Sequence, residues 1–125
     1  MKGIAFKFFI VAALCVTLGM VWGIQMSATH DHSLSPAHAH LNLVGWVTMG
    51  LFGLYYAVTP SASSGRMASI HFWLATAGVV LMVPGIVMAL TERGEIFAII
   101  GSFLTLASML VFLFTVARNG IGSAN

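Results

Sequence analysis

Hydrophobic residues along this chain occur in four long runs separated by short polar segments. Each run is close to the roughly 20 apolar residues that an α-helix needs to cross the hydrocarbon core of a bilayer. The segments between the runs are rich in Pro, Gly and Ser, which are typical of turns. The pattern predicts an all-α integral membrane protein, a four-helix bundle forming one transmembrane domain over residues 1–125. The predicted spans cover residues 4–26, 38–58, 67–90 and 95–117.

Composition makes lipid the expected solvent. Of the 125 residues, 59% are hydrophobic and only 6% are charged, whereas soluble domains carry about 25% charged residues. The net charge of +2 comes from five Lys and Arg against three Asp and Glu, too few for the clustered basic surface of a nucleic-acid-binding protein. The single cysteine, Cys15, excludes an intrachain disulfide. We therefore expect the bilayer, and not nucleic acid, as a partner.

The first run has one competing interpretation. Lys2 and Lys7 ahead of an apolar segment also fit the charged and hydrophobic regions of a secretory signal peptide. The apolar segment is long for a signal peptide, however, and no Ala-x-Ala-like cleavage motif follows it. We expect it to be retained as a membrane helix.

The basic residues predict the orientation. Cytoplasmic loops of membrane proteins carry an excess of Lys and Arg. If successive spans alternate in direction, four of the five basic residues lie on one side of the membrane and only Arg93 lies on the other. Both termini are therefore expected to be cytoplasmic, in a bacterial-type inner membrane, with the loop 27–37 facing the periplasm. The four residues that share the cytoplasmic side are Lys2, Lys7, Arg66 and Arg118.

Four of the five histidines lie in the segment T-H-D-H-S-L-S-P-A-H-A-H-L-N. Imidazole binds iron, copper, zinc and nickel, so the segment is a candidate metal or cofactor site. On one helix, His38 and His40 would be about 200° apart and point to opposite faces, which suits two separate ligands. If the helix instead begins at His40, the pair can join His30 and His32 in a copper or zinc site in the loop. Anchoring at the membrane interface is the alternative role for these histidines.

Two segments resemble a known family. The run H-A-H-L-N-L-V-G-W-V-T-M-G-L-F-G-L-Y-Y-A-V-T-P, from His38 to Pro60, resembles the tenth helix of the catalytic subunit of cbb-type cytochrome c oxidases, an arrangement shared by nitric oxide reductases. The run I-H-F-W-L-A-T-A-G-V-V-L, from Ile70 to Leu81, is similar to the eleventh helix. The resemblance implies that the chain corresponds to the C-terminal four-helix part of the haem–copper oxidase catalytic subunit.

The resemblance also implies roles for individual residues. In the family, the H-x-H pair holds two haems, one on each helix face, so His38 would bind the high-spin haem and His40 the low-spin haem. Arg93 would pair with haem propionates, although a salt bridge with Glu92 or Glu95 is an equal alternative. Trp46 would line the binding site of a haem macrocycle or serve only in packing. His71 is too far along the bilayer normal from His40 to share its haem, and we expect it to be structural.

The departures from the family restrict the function. The chain lacks the helices that carry the other haem and copper ligands, so an autonomous oxygen or nitric oxide reductase is not expected. We expect a small membrane protein binding haem b, acting in electron transfer, gas sensing or as an accessory subunit. A second copy or a partner in a larger membrane complex would complete the ligands. An outer-face copper- or zinc-binding protein and a cofactor-free packing subunit are the alternatives.

Overall fold

Four long helices make up most of the computed structural model, which describes residues 2–124. All four are long and apolar enough to cross a membrane, and the described residues contain no β-strand. The prediction of an all-α chain with four spans is confirmed, and the observed helix ends fall within three residues of the predicted ones. The sides on which the termini lie stay a prediction. The helices are α1 (Gly3–Thr29), α2 (Ser35–Val58), α3 (Arg66–Leu90) and α4 (Ile96–Asn119).

Helix α1 packs along α2 through a regular seam. Its buried residues recur at intervals of three, four and, at the end, seven, the spacing that keeps side chains on one face of a helix and places them into the grooves of a neighbour. Several are small, which lets backbones approach closely in lipid. A Cβ atom added to Gly45 of α2, for example, would lie 2.9 Å from the Cys15 side chain. The buried residues of α1 are Ala5, Phe8, Ala12, Cys15, Gly19 and Met26.

Helices α3 and α4 form an even closer pair. A Cβ atom on Gly101 would lie 2.6 Å from Met82 Cα, and one on Gly78 would lie 2.6 Å from Thr105 Oγ1. Gly101 and Ser108 are buried, and together with Thr105, which lies against Gly78 of α3, they form a stripe of small residues along α4. That stripe is a packing face.

Helix α2 is irregular in its middle. It is α-helical over Ser35–His40, π-helical over Leu41–Thr48 and α-helical again over Met49–Val58. π-Helical segments are rare and are frequent at functional sites. This one begins directly after His40, and nothing in the hydrophobic pattern predicts it.

The chain after α4 folds back onto the end of α2. The Gly122 N–H donates to Thr59 Oγ1 at 3.0 Å, and the Ser61 N–H donates to the Ser123 carbonyl at 3.2 Å. The Tyr55 hydroxyl donates to the Gly120 carbonyl at 2.7 Å. These bonds hold together the end of the bundle where α2 ends, α3 begins and α4 ends. A single helical turn, Pro60–Ser63, lies at the same end.

Candidate haem-ligand site

The two histidines of the H-x-H sequence lie in the first, α-helical part of α2. The helix begins at Ser35 because Pro36 occupies its first turn, where a missing N–H is tolerated. Both histidines are therefore helical, and the alternative of a helix that begins only at His40 does not apply. His38 faces α1 and is partly buried, whereas His40 is exposed on the other side of α2. The geometry agrees with the predicted opposite faces.

His38 is held by the backbone of α1. Its Nε2 lies 3.0 Å from the Gly19 carbonyl oxygen and 3.2 Å from Asn42 Nδ2. The contact with the Gly19 carbonyl requires a proton on Nε2, whereas donation from Asn42 Nδ2 requires a lone pair there, so Nε2 makes one of these hydrogen bonds at a time. In either tautomer Nε2 is engaged with α1 or with Asn42. The His38 ring also contacts Trp22 edge-on, with centroids 5.9 Å apart.

Glycines on α1 make room for this contact. A Cβ atom on Gly23 would lie 3.3 Å from His38 Nε2, and one on Gly19 would collide with the Asn42 side chain. Gly19 and Gly23 form a G-x-x-x-G spacing, the usual signal for close helix approach in membranes. That spacing is the sequence signal from which the contact between α1 and His38 was predictable.

His40 has the opposite arrangement. Its Nδ1 lies 2.7 Å from the Pro36 carbonyl oxygen, one helical turn earlier. Nδ1 therefore carries the proton and the lone pair stays on Nε2. A backbone carbonyl that accepts from Nδ1–H is the usual way in which proteins orient a metal-ligating histidine. Of this pair, His40 is the histidine whose Nε2 makes no hydrogen bond among the described residues.

The exposed side of His40 lines a groove between α2, α3 and α4, which we call the His40 groove. Its volume is about 420 Å³, within the 300–1,000 Å³ that is common for ligand pockets. Apart from His40 its walls are aliphatic, thioether and hydroxyl groups, and the Thr105 hydroxyl oxygen is buried without a hydrogen-bond partner. The other lining residues are Val44, Thr48, Met82, Ser102, Thr105, Leu106 and Met109.

Two residues that the sequence associates with haem lie outside this groove. Trp46 packs against Phe9 of α1, with ring centroids 6.2 Å apart, and does not line the groove. Arg93 is exposed in the loop between α3 and α4, where its backbone N–H donates to the Met88 carbonyl at 2.8 Å. The groove itself therefore offers one nitrogen ligand and no cation.

The histidines of the loop between α1 and α2 lie on its surface. His30 ends α1 in the left-handed conformation, with φ of 56°, and both His30 and His32 are exposed. The Ser33 side chain, and then the Ser33 backbone N–H that donates to the Asp31 carboxylate at 3.0 Å, lower the pKa of Asp31. Over residues 2–124, no three His, Cys, Asp or Glu side chains come together as metal ligands. A copper or zinc site in this loop stays a prediction.

His71 lies in a closed aromatic cage near the other end of the bundle. It is fully buried, and its Nδ1 lies 2.9 Å from the Tyr56 hydroxyl. The rings of Phe8, Phe52 and Phe112 surround it at centroid distances of 4.9, 4.4 and 5.6 Å. His71 Nε2 is buried without a partner among the described residues. As expected, His71 and His40 are in separate environments.

Sequence comparisons support the resemblance over part of the chain. Cytochrome c oxidase subunit 1 of Rhodobacter capsulatus is 39% identical over 61 residues, which are 44% of this chain and 12% of that protein. The cytochrome c oxidase subunit 1 homolog of Agrobacterium tumefaciens is 35% identical over 78 residues, 54% of this chain and 14% of the homolog. The bacteroid homolog of Bradyrhizobium diazoefficiens is 33% identical over 63 residues, 46% of this chain and 12% of that protein.

These matches confirm a partial resemblance to haem–copper oxidase subunit I. The chain matches only 12 to 14% of the length of these relatives. No family model matches the chain, and no solved structure matches it. The comparisons support an oxidase-related, multi-pass membrane protein.

Proposed function

We propose that this chain is a small membrane haem protein in which His40 provides one axial ligand to a haem b bound in the His40 groove. The observation that carries the proposal is the hydrogen bond from His40 Nδ1 to the Pro36 carbonyl. It leaves the Nε2 lone pair on an exposed side chain that lines an open groove. The likeness to cytochrome c oxidase subunit 1 supports haem as the ligand.

The residues of the groove fit a porphyrin. Aliphatic and thioether side chains such as Leu106 and Met109 suit the apolar macrocycle. Arg93 lies in the loop that joins α3 and α4, two of the helices that form the groove. We propose that it pairs with a propionate, since a guanidinium binds carboxylates through two parallel hydrogen bonds. A salt bridge with Glu92 or Glu95 is its alternative.

The second axial ligand is proposed to come from another chain. No other histidine lines the His40 groove, and the groove is open on one side. Two-fold homodimers are the commonest oligomers, so a second copy can present its own His40 to the same iron. This arrangement predicts one haem per two chains. A ligand from a different subunit of a larger membrane complex would give one haem per chain.

His38 is a weaker candidate for a second haem. The resemblance assigns it one, but its Nε2 contacts the Gly19 carbonyl and the Asn42 side chain. A haem on His38 requires α1 to move away from α2. We therefore assign the proposed haem to His40 alone, with Trp46 left as a packing residue.

Haem, when bound, supplies one-electron redox chemistry and an iron centre for small gases. The chain's own part is to fix the His40 tautomer, to surround the macrocycle with apolar groups and to exclude water from one of its edges. These roles suit electron transfer, gas sensing or an accessory subunit. We propose no autonomous catalysis. Location in a bacterial inner membrane, with the loop 27–37 on the periplasmic side, is part of the same proposal.

Haem reconstitution tests the proposal. The chain, purified in mild detergent, is titrated with haemin, and the Soret band and pyridine haemochrome content are recorded. We expect a bis-histidine spectrum that is lost in His40→Ala and kept in His32→Ala, a matched change of an exposed histidine. Absence of any Soret band would contradict the proposal and favour a cofactor-free packing subunit. A band unchanged by His40→Ala would contradict the assignment of the haem to His40.

A further inference from the structure

Two arginines line one pocket at the end of the bundle where α2 ends, α3 begins and α4 ends. Arg66 is the first residue of α3, and Arg118 is in the last turn of α4. The pocket between them has a volume of about 250 Å³. We infer that this pocket binds the phosphate of an anionic phospholipid. The inference does not depend on haem binding.

No acidic side chain of the chain is available to these arginines. The three acids are Asp31, Glu92 and Glu95, and they lie in the loops at the opposite end of the bundle. Two guanidinium groups that share a pocket repel each other, and the repulsion grows near the low dielectric of a bilayer. An anion bound between them would offset this repulsion.

The first turn of α3 adds further donors. Its N-cap residue is Gly65, which has no side chain to accept from the free N–H groups, and no side-chain capping hydrogen bond is made there. Free N–H groups at a helix start carry a partial positive charge and bind phosphate well. The Ser61 hydroxyl, which belongs to the same pocket, is buried without a hydrogen-bond partner. A phosphate oxygen would satisfy both sets of donors.

The other wall of the pocket is apolar and distinguishes a lipid from free phosphate. Phe114 and Met67 line it beside the arginines, and both are exposed large hydrophobic residues. The pocket lies at the ends of three membrane-spanning helices, the level at which lipid headgroups meet their acyl chains. Basic pockets between membrane helices bind anionic headgroups in this way. The combination of cationic and apolar walls matches a phospholipid.

Native mass spectrometry of the full chain in detergent measures this binding. The protein is titrated with phosphatidylglycerol and, separately, with phosphatidylcholine of the same acyl chains. We expect one phosphatidylglycerol adduct to persist at the lowest lipid concentration, with at least tenfold weaker binding for phosphatidylcholine. Arg66→Gln with Arg118→Gln should weaken the phosphatidylglycerol adduct at least tenfold, and Arg118→Gln alone severalfold.

Lys7→Gln is the matched control, because it removes one positive charge near the same end of the bundle from an exposed residue outside the pocket. Its adduct should equal that of the unchanged protein. Equal loss in Lys7→Gln, or no loss in the double variant, would overturn the inference. Millimolar sodium phosphate should leave the adduct in place; its displacement would show a site for free phosphate and would also overturn the lipid assignment. Circular dichroism checks that each variant keeps its helices.

Discussion

The two ends of the bundle use the same side chain in opposite ways. At one end, His40 is exposed, its Nδ1 is bonded to its own helix and its Nε2 is free at an open groove. At the other end, His71 is fully buried, bonded to Tyr56 and enclosed by phenylalanine rings. The first imidazole can take a ligand without rearrangement. The second is part of the core.

Burial and tautomer, and not residue type, distinguish a histidine that is available to a ligand from one that is part of the core. A buried polar group that loses its partner destabilises the fold, because it keeps the cost of desolvation without a hydrogen bond. An exposed group whose orientation is fixed by one hydrogen bond pays little desolvation free energy on folding. Its other polar atom remains available to bind a ligand. Mutations at the two ends should therefore have very different effects on stability and on cofactor binding.

The largest expected effect on stability is at the closed end. His71→Ala removes a buried ring and leaves the Tyr56 hydroxyl unpaired, so we expect a loss of about 3–5 kcal/mol in the free energy of unfolding, as for a large aromatic core side chain. His40→Ala should change it by only about 0.5 kcal/mol or less without haem. Thermal unfolding in detergent, followed by circular dichroism, measures both. Similar losses in the two variants would contradict the expectation that His71 stabilises the fold and His40 does not.

A smaller loss of stability is expected from removal of the Tyr56 hydroxyl, the hydrogen-bond partner of His71. Tyr56→Phe keeps the ring and its stacking but leaves His71 Nδ1 without its hydrogen bond, at a cost of about 1–3 kcal/mol. Tyr55→Phe is the matched control, since its hydroxyl donates to the Gly120 carbonyl near the chain end, where water can replace it. Its cost should be about 1 kcal/mol or less. An equal or larger cost for Tyr55→Phe would show that the cage does not depend on the Tyr56–His71 bond.

Gly19→Ala should have a moderate effect that is confined to His38. The added methyl group meets the Asn42 side-chain amide, which can turn away from His38, so we expect a cost of about 1 kcal/mol, at the low end for overpacking. Haem binding at His40 should persist. Gly50→Ala is the control, because its Cβ would lie 3.9 Å from Ala12 Cβ in ordinary contact and should be neutral or stabilising. Loss of the Soret band in Gly19→Ala would instead place the haem on the α1 side of α2.

The smallest effect is expected in the loop. Replacing His30 and His32 together by alanine should change the free energy of unfolding by about 0.5 kcal/mol or less, because both side chains are exposed. Haem content should also stay the same. A loss of bound copper or zinc in metal analysis of this double variant, relative to the unchanged protein, would revive the loop metal site.

The helix bounds and the two faces of the H-x-H sequence were predictable because they depend on local patterns. Hydrophobic run length fixes the spans, and helical geometry alone places His38 and His40 apart. The π-helical segment after His40 was not predictable, because it arises from a shift in backbone hydrogen bonding that side-chain polarity does not record. The pairing of His71 with Tyr56, and of His38 with Gly19, depends on contacts between helices. Only the G-x-x-x-G spacing of α1 gave a sequence signal for one of them.

The most direct test of the central claim compares the haem spectra of two variants. The unchanged protein, His40→Ala and His38→Ala are each reconstituted with haemin in detergent, and haem is quantified as the pyridine haemochrome. We predict that His40→Ala loses the Soret band while His38→Ala keeps it, with about one haem per two chains in the unchanged protein, as two-fold pairing requires. A band that survives His40→Ala and disappears in His38→Ala would contradict the account.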